Sequence, residues 1–127
     1  MLATPATVKR DYTQELIADF ASQHHIALVG APSLAGLAED KLAGRRVDLE
    51  RLRQEIAPCF TEKDGKRTDC VVLGCTHFPF LQDEMEQVAP WQVSWIDPAP
   101  AIAKRLVQVV KQDCVATGCD DLYFLTV

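Results

Sequence analysis

The amino-acid sequence predicts an α/β fold, a mostly parallel sheet flanked by helices. Two observations carry that expectation. Short apolar runs of strand length, at residues 26–29, 70–73, 93–96 and 122–127, alternate with longer stretches whose apolar residues recur at helical spacing. Such alternation builds parallel strands joined by crossover helices. The composition is also that of a folded domain, since 127 residues with 48% hydrophobic and 24% charged side chains can enclose a core unaided.

Each element has its own signal. Tyr12, Leu16, Ile17 and Phe20 lie at helical spacing, and Asp11 with Gln14 has the form of a capping box. Residues 26–29 make a short strand closed by Gly30. Leu34, Leu37, Ala38 and Leu42 mark a second helix that Gly44 can stop. Asp48 is placed to cap a third, which buries Leu49, Leu52 and Ile56 and ends before Pro58. The polar stretch 61–68, with Asp64-Gly65, is a loop with turn chemistry. A buried strand over 70–73 leads into a helix near Pro79, a residue tolerated in a first helical turn. After the strand at 93–96, Asp97-Pro98 opens a helix with Ile102, Leu106, Val109 and Val110 on one face. The chain closes on the apolar run 122–127.

Charge and composition exclude several function classes. A net charge of -5 and a pI near 5.1 argue against a nucleic-acid or anionic-membrane partner, both of which need a basic face. No apolar run reaches the length of a membrane span, and the first residues have neither the basic start nor the apolar stretch of a signal peptide. A cytoplasmic location is the expectation. The five cysteines, an odd number, read as reduced thiols. Cys70/Cys75 and Cys114/Cys119 share a C-x4-C spacing, but Cys70 opens an apolar strand from which a side chain does not easily reach a tetrahedral zinc site. No metal site is expected.

The chemistry concentrates at Gly74-Cys75-Thr76-His77-Phe78-Pro79. A strand ends in glycine, a cysteine follows on the turn, and a helix begins soon after. Ligands bind at the carboxyl ends of strands in open α/β sheets. A nearby helix N-terminus favours thiolate, and turn N–H groups can receive a carboxylate. His77 is a proton partner two residues from the thiol. A cysteine after a strand is nevertheless more often an inert buried residue, and a lone histidine a surface or capping residue. The residues alone leave both readings open.

This motif, preceded by Val71-Val72-Leu73, resembles the second catalytic motif of the glutamate racemases in the aspartate/glutamate racemase family. Three further segments are similar, in the same order and spacing. They are Leu2-Ala3-Thr4-Pro5-Ala6-Thr7-Val8-Lys9, Leu37-Ala38-Glu39, and Trp95-Ile96-Asp97 with Ala101-Ile102-Ala103. The resemblance implies a cytoplasmic isomerase of peptidoglycan and cell-wall biogenesis, maintaining cell shape, which interconverts L- and D-glutamate without pyridoxal phosphate or any other cofactor. Two cysteines, one from each lobe, would alternate as thiolate and thiol on opposite faces of the α-carbon. Cys75 would be one of them, with His77 assisting its proton handling. Thr4, Thr7, Thr76 and Glu39 would bind the small-molecule substrate.

The departures from the pattern are as informative. The family's first half carries an Asp-Ser-Gly motif and a Cys-Asn-Thr motif. This chain has no asparagine, and no aspartate precedes a serine. It therefore resembles only the C-terminal half, as residues 1–96 of a second-lobe domain and residues 97–127 of a segment that returns to the first lobe. A truncated chain of that kind is expected to be inactive alone. It is also expected to self-associate, or to need a first-half lobe, because the apolar face of its last helix lacks its partner. Aspartate as substrate and a non-catalytic binding domain are the alternative readings.

Overall fold

A computed structural model describes residues 1–110. Its framework is a set of short parallel strands. β1 (Leu2–Ala3) pairs with β2 (Val29–Gly30), Leu2 opposite Val29 and Ala3 opposite Gly30. The antiparallel pair β3 (Glu62–Lys63) and β4 (Lys66–Arg67) stands apart as a hairpin. β5 (Cys70–Val72) pairs with β6 (Ser94–Ile96), Cys70 opposite Ser94 and Val72 opposite Ile96. A parallel bridge from Leu2 to Leu73 joins the two parallel pairs, and the Gly74 N–H donates to the Leu2 carbonyl at 2.8 Å. The ladder therefore runs β2, β1, β5, β6, and all four strands present their carboxyl ends along one edge.

Helices connect the strands in the expected alternation: α1 (Pro5–Val8), α2 (Asp11–Ala21), α3 (Leu34–Leu42), α4 (Leu49–Ile56), α5 (Gln82–Val88) and α6 (Ala99–Val109). The Asp48 carboxylate caps α4 by accepting from the Glu50 and Arg51 amides, as its position predicts. Gly44, at φ +74°, ends α3 in the left-handed conformation. Leu34, Leu37, Leu52, Ile56, Met85 and Val88 join Val71, Leu73 and the wholly buried Phe78 in one core.

Several expectations need correcting. The strand expected at 26–29 forms only at Val29–Gly30, because its neighbour β1 is two residues long. Upstream, the Met1 ammonium donates to the Ala27 carbonyl instead. Residues 2–3 were not expected as a strand at all; so short a segment shows no alternation. The 61–68 loop is a hairpin whose turn residues Asp64 (φ 53°) and Gly65 (φ 71°) take the positive dihedrals of a type I′ turn. α2 starts at Asp11 with Arg10 as its N-cap and no side-chain cap, so the capping box does not form. β5 is buried on one face only. Val71 and Leu73 point into the core, while Cys70 and Val72 are exposed. On α6 no residue is buried, and Ile102, Leu106, Val109 and Val110 all face solvent. The strand expected at 122–127, together with Cys114 and Cys119, lies outside the described residues.

Gly74 is required by the approach of β1. A Cβ there would stand 3.0 Å from the Ala3 Cβ and 2.7 Å from the flexible end of the Met1 side chain. Gly74→Ala is expected to lower stability by about 1–3 kcal/mol through overpacking. Ala3→Gly should cost less in that background than alone, a coupling that urea unfolding of the four-member mutant cycle measures. Burial pushes the Cys59 thiol up from its ordinary 9.0 to about 11, with the N-terminal ammonium pulling the other way. The folded state thus holds this proton through an interval in which the unfolded chain releases it. The resulting stability is whole below pH 9 and is lost as the pH rises through 11, a loss of roughly 2–3 kcal/mol. Denaturation midpoints from pH 8 to 11 should fall accordingly, and Cys59→Ala should flatten that fall.

Candidate active site

The site begins where β5 runs out. Leu73 is wholly buried, Gly74 passes close beneath β1, and Cys75 emerges half-buried against the core. The chain then tightens into a 3-10 turn, Phe78–Leu81, before α5 proper starts at Gln82. The Phe78 amide donates to the Cys75 carbonyl at 3.1 Å, and the buried Phe78 ring anchors the turn from below. The helix expected near Pro79 is therefore a 3-10 turn first, which sets the N-terminus of α5 further from the thiol than the sequence suggests.

His77 lies between Cys75 and α3. Its Nδ1 is 3.9 Å from the Cys75 Sγ, and its Nε2 is 3.8 Å from the Glu39 Oε1. The first is at the long end for a hydrogen bond involving sulfur and the second is longer than a formed nitrogen–oxygen bond, so the three groups stand in line without closing tightly on one another. The polarity of the line follows from the ring. If Nε2 carries its proton toward Glu39, the Nδ1 lone pair faces the sulfur and can take a proton from it. Glu39 is exposed and His77 partly so, which leaves the line open to solvent on one side.

Thr4 and Thr7 stand on the neighbouring strand. Thr4 directly follows β1 and caps the short α1, its Oγ1 accepting from the Thr7 amide at 3.3 Å. The two threonine hydroxyls lie 2.9 Å apart. One O–H is therefore committed to the other oxygen, and a single donor remains for an acceptor such as a carboxylate. The Leu2–Leu73 bridge brings the ends of β1 and β5 side by side, so the threonine pair and Cys75 occupy the same edge. Thr76 is exposed between Cys75 and His77. The structure thus groups Glu39, His77 and Cys75 in one line and pairs Thr4 with Thr7.

Thr13 escaped sequence reasoning. It is the one buried polar side chain among the described residues, and its hydroxyl donates to the Thr7 carbonyl at 2.7 Å. A threonine inside an amphipathic stretch gives no signal of such a bond. Among the described residues no three His, Cys, Asp or Glu side chains are arranged to hold a metal ion, and no helix is long and apolar enough to cross a membrane.

Comparison with known proteins adds to this geometry. The family model for Asp/Glu/Hydantoin racemase matches residues 1–106. A glutamate racemase of Bartonella henselae is 57% identical over 112 residues, which are 88% of this chain and 42% of that protein. One of Brucella canis is 51% identical over 99% of this chain and 47% of its own length. This chain thus spans less than half the length of these curated relatives. The crystal structure of Escherichia coli glutamate racemase, in complex with L-glutamate and the activator UDP-MurNAc-Ala, superposes with a TM-score of 0.74 at 45% identity, covering 84% of this chain and 40% of that one. The isoform RacE1 from Bacillus anthracis, at 22% identity and a TM-score of 0.69, shares the fold. A match over residues 1–106 takes in the threonine pair, the Glu39–His77–Cys75 line and most of α6, and the chain belongs to the Asp/Glu/Hydantoin racemase family.

Proposed function

We propose that this chain forms one face of a cofactor-independent, two-base site that interconverts L- and D-glutamate. The observation that carries the reading is the line Glu39–His77–Cys75 at the carboxyl end of β5. In one direction the Cys75 thiolate removes the α-proton and becomes a thiol, while an acid on the opposite face delivers a proton to the carbanion. In the other direction the Cys75 thiol gives its proton to the carbanion and is left as thiolate, and between turnovers His77 carries a proton to or from the sulfur to reset it. Thr4, Thr7 and Thr76 hold the substrate carboxylates through hydroxyl and backbone donors, and these preorganised dipoles offset the charge that develops at the α-carbon. Glutamate as substrate is supported by the names of the relatives and by the L-glutamate in the related Escherichia coli structure. Supply of D-glutamate for peptidoglycan in the cytoplasm follows from the same reading.

The opposite-face acid is not among the described cysteines. Cys59 is buried with its thiol pushed up to about 11, and Cys70 belongs to β5, where partial loss of water around the sulfur and the neighbouring Asp69 also push its thiol up although the residue is exposed. On this reading residues 1–96 make a second-lobe domain, and the segment from residue 97 onward serves a first lobe. A first-half polypeptide completes the site. Alone, the exposed apolar face of α6 drives self-association, since each large side chain left in water forfeits roughly 1.5–3 kcal/mol.

The test follows the α-proton of L-glutamate in deuterium oxide, with and without a polypeptide carrying the first half of the Bartonella henselae relative. Inversion is expected in the mixture and should vanish with Cys75→Ala. His77→Gln should lower the rate by about a hundredfold, and Glu39→Gln should lower it less. No Cys75-dependent exchange in either setting would overturn the proposal. Sedimentation of the chain alone should give a mass above that of a monomer, and a monomer would remove the α6 argument.

A further inference from the structure

We propose that Thr13 is a positioning residue that fixes the Thr4–Thr7 pair for substrate; the inference rests on the reading of that pair as part of the binding site. A threonine inside a helix ordinarily turns its hydroxyl back to a carbonyl of its own preceding turn. Thr13 does not. Its Oγ1 reaches out of α2 to the carbonyl of Thr7, at 2.7 Å; the Lys9 amide, and the Arg10 amide at 3.2 Å, meet the same oxygen. Thr13 is 4% exposed, so this hydroxyl has no water to fall back on.

The bond matters because α1 is one turn long and cannot hold its own shape. Two external contacts fix it. On one side Gly30 lets the turn lie against β2, where a Cβ would come 3.1 Å from the Pro5 Cα and 3.2 Å from Val8. Toward its end the Thr13 hydroxyl holds the carbonyl of Thr7, the last residue but one. Thr7 has its backbone oxygen clamped by Thr13 and its side-chain oxygen set 2.9 Å from Thr4. Losing the first frees the second to rotate away. The hydroxyl that meets substrate is thereby oriented from a residue that does not touch it.

Nuclear magnetic resonance on the full chain tests this with Thr13→Val, which keeps the shape and removes the hydroxyl, and Thr13→Ser, which keeps the hydroxyl. Hydrogen exchange at the Val8 and Arg10 amides, which close α1, should rise about tenfold in Thr13→Val, as expected for one lost buried hydrogen bond. The amides of Leu73 and Gly74 should be unchanged, and Thr13→Ser should behave as wild type. Titration with L-glutamate should move the Thr4 and Thr7 signals in wild type and in Thr13→Ser, with affinity several-fold weaker in Thr13→Val. Equal glutamate affinity in Thr13→Val, or equal losses in both variants, would overturn the role of the hydroxyl. A uniform rise in exchange, including Leu73 and Gly74, would also overturn it, since Thr13 would then support the whole fold. A wild-type chain with no glutamate response would defeat the reading of the site itself, while the exchange pattern still decides whether Thr13 fixes the turn.

Discussion

The arrangement depends on one contact, where β1 crosses to β5. A single parallel bridge, Leu2 to Leu73, and the hydrogen bond from the Gly74 amide to the Leu2 carbonyl join two strand pairs that are otherwise separate. Neither pair is stable as an isolated two-stranded unit. Joined, they bury Leu2 and Leu73 completely and bring the turn after β1 beside the turn after β5. The threonine pair arrives on the first of these turns and the cysteine on the second. The candidate site residues are thus set along one edge by backbone pairing, without long loops.

Around that contact the chain divides into a well-packed side and an uncovered one. α3, α4 and α5 enclose the inner face of β5, with Phe78 pinning the turn below Cys75. On the outer face Val72 and Ile96, paired across β5 and β6, remain 38% and 44% exposed. α6 adds a whole apolar stripe with nothing packed on it among the described residues. A parallel sheet ordinarily has both faces covered. The edge that carries the candidate site is therefore built on the packed side.

Much of this was legible in the sequence, for identifiable reasons. Asp48 and Gly44 marked helix ends because capping and left-handed backbone demand those residue types. The placement of Cys75 and His77 on the turn after β5 was legible because a glycine-ended strand followed by a cysteine is a local pattern, and local patterns survive in one dimension. That the buried strand at 70–73 is covered on one face only was not legible, because Cys70-Val71-Val72-Leu73 is equally apolar on either side and only the neighbouring elements decide which side is covered. The capping box at Asp11 failed because the preceding α1 ends so close that Arg10 takes the cap position. The reach of Glu39 to His77, and of Thr13 to Thr7, depends on how separate elements dock.

The glycine at the strand crossing has an evolutionary consequence. Residues 3 and 74 occupy one shared volume, holding an alanine and a glycine with no room for another methyl group. Among relatives with the same crossing, the sizes of these two positions should vary inversely, a larger residue at one being found only with a smaller one at the other. Such a pair would register as covariation between segments far apart in the chain, and it would report the strand contact on which the candidate site is built, independently of the candidate residues themselves.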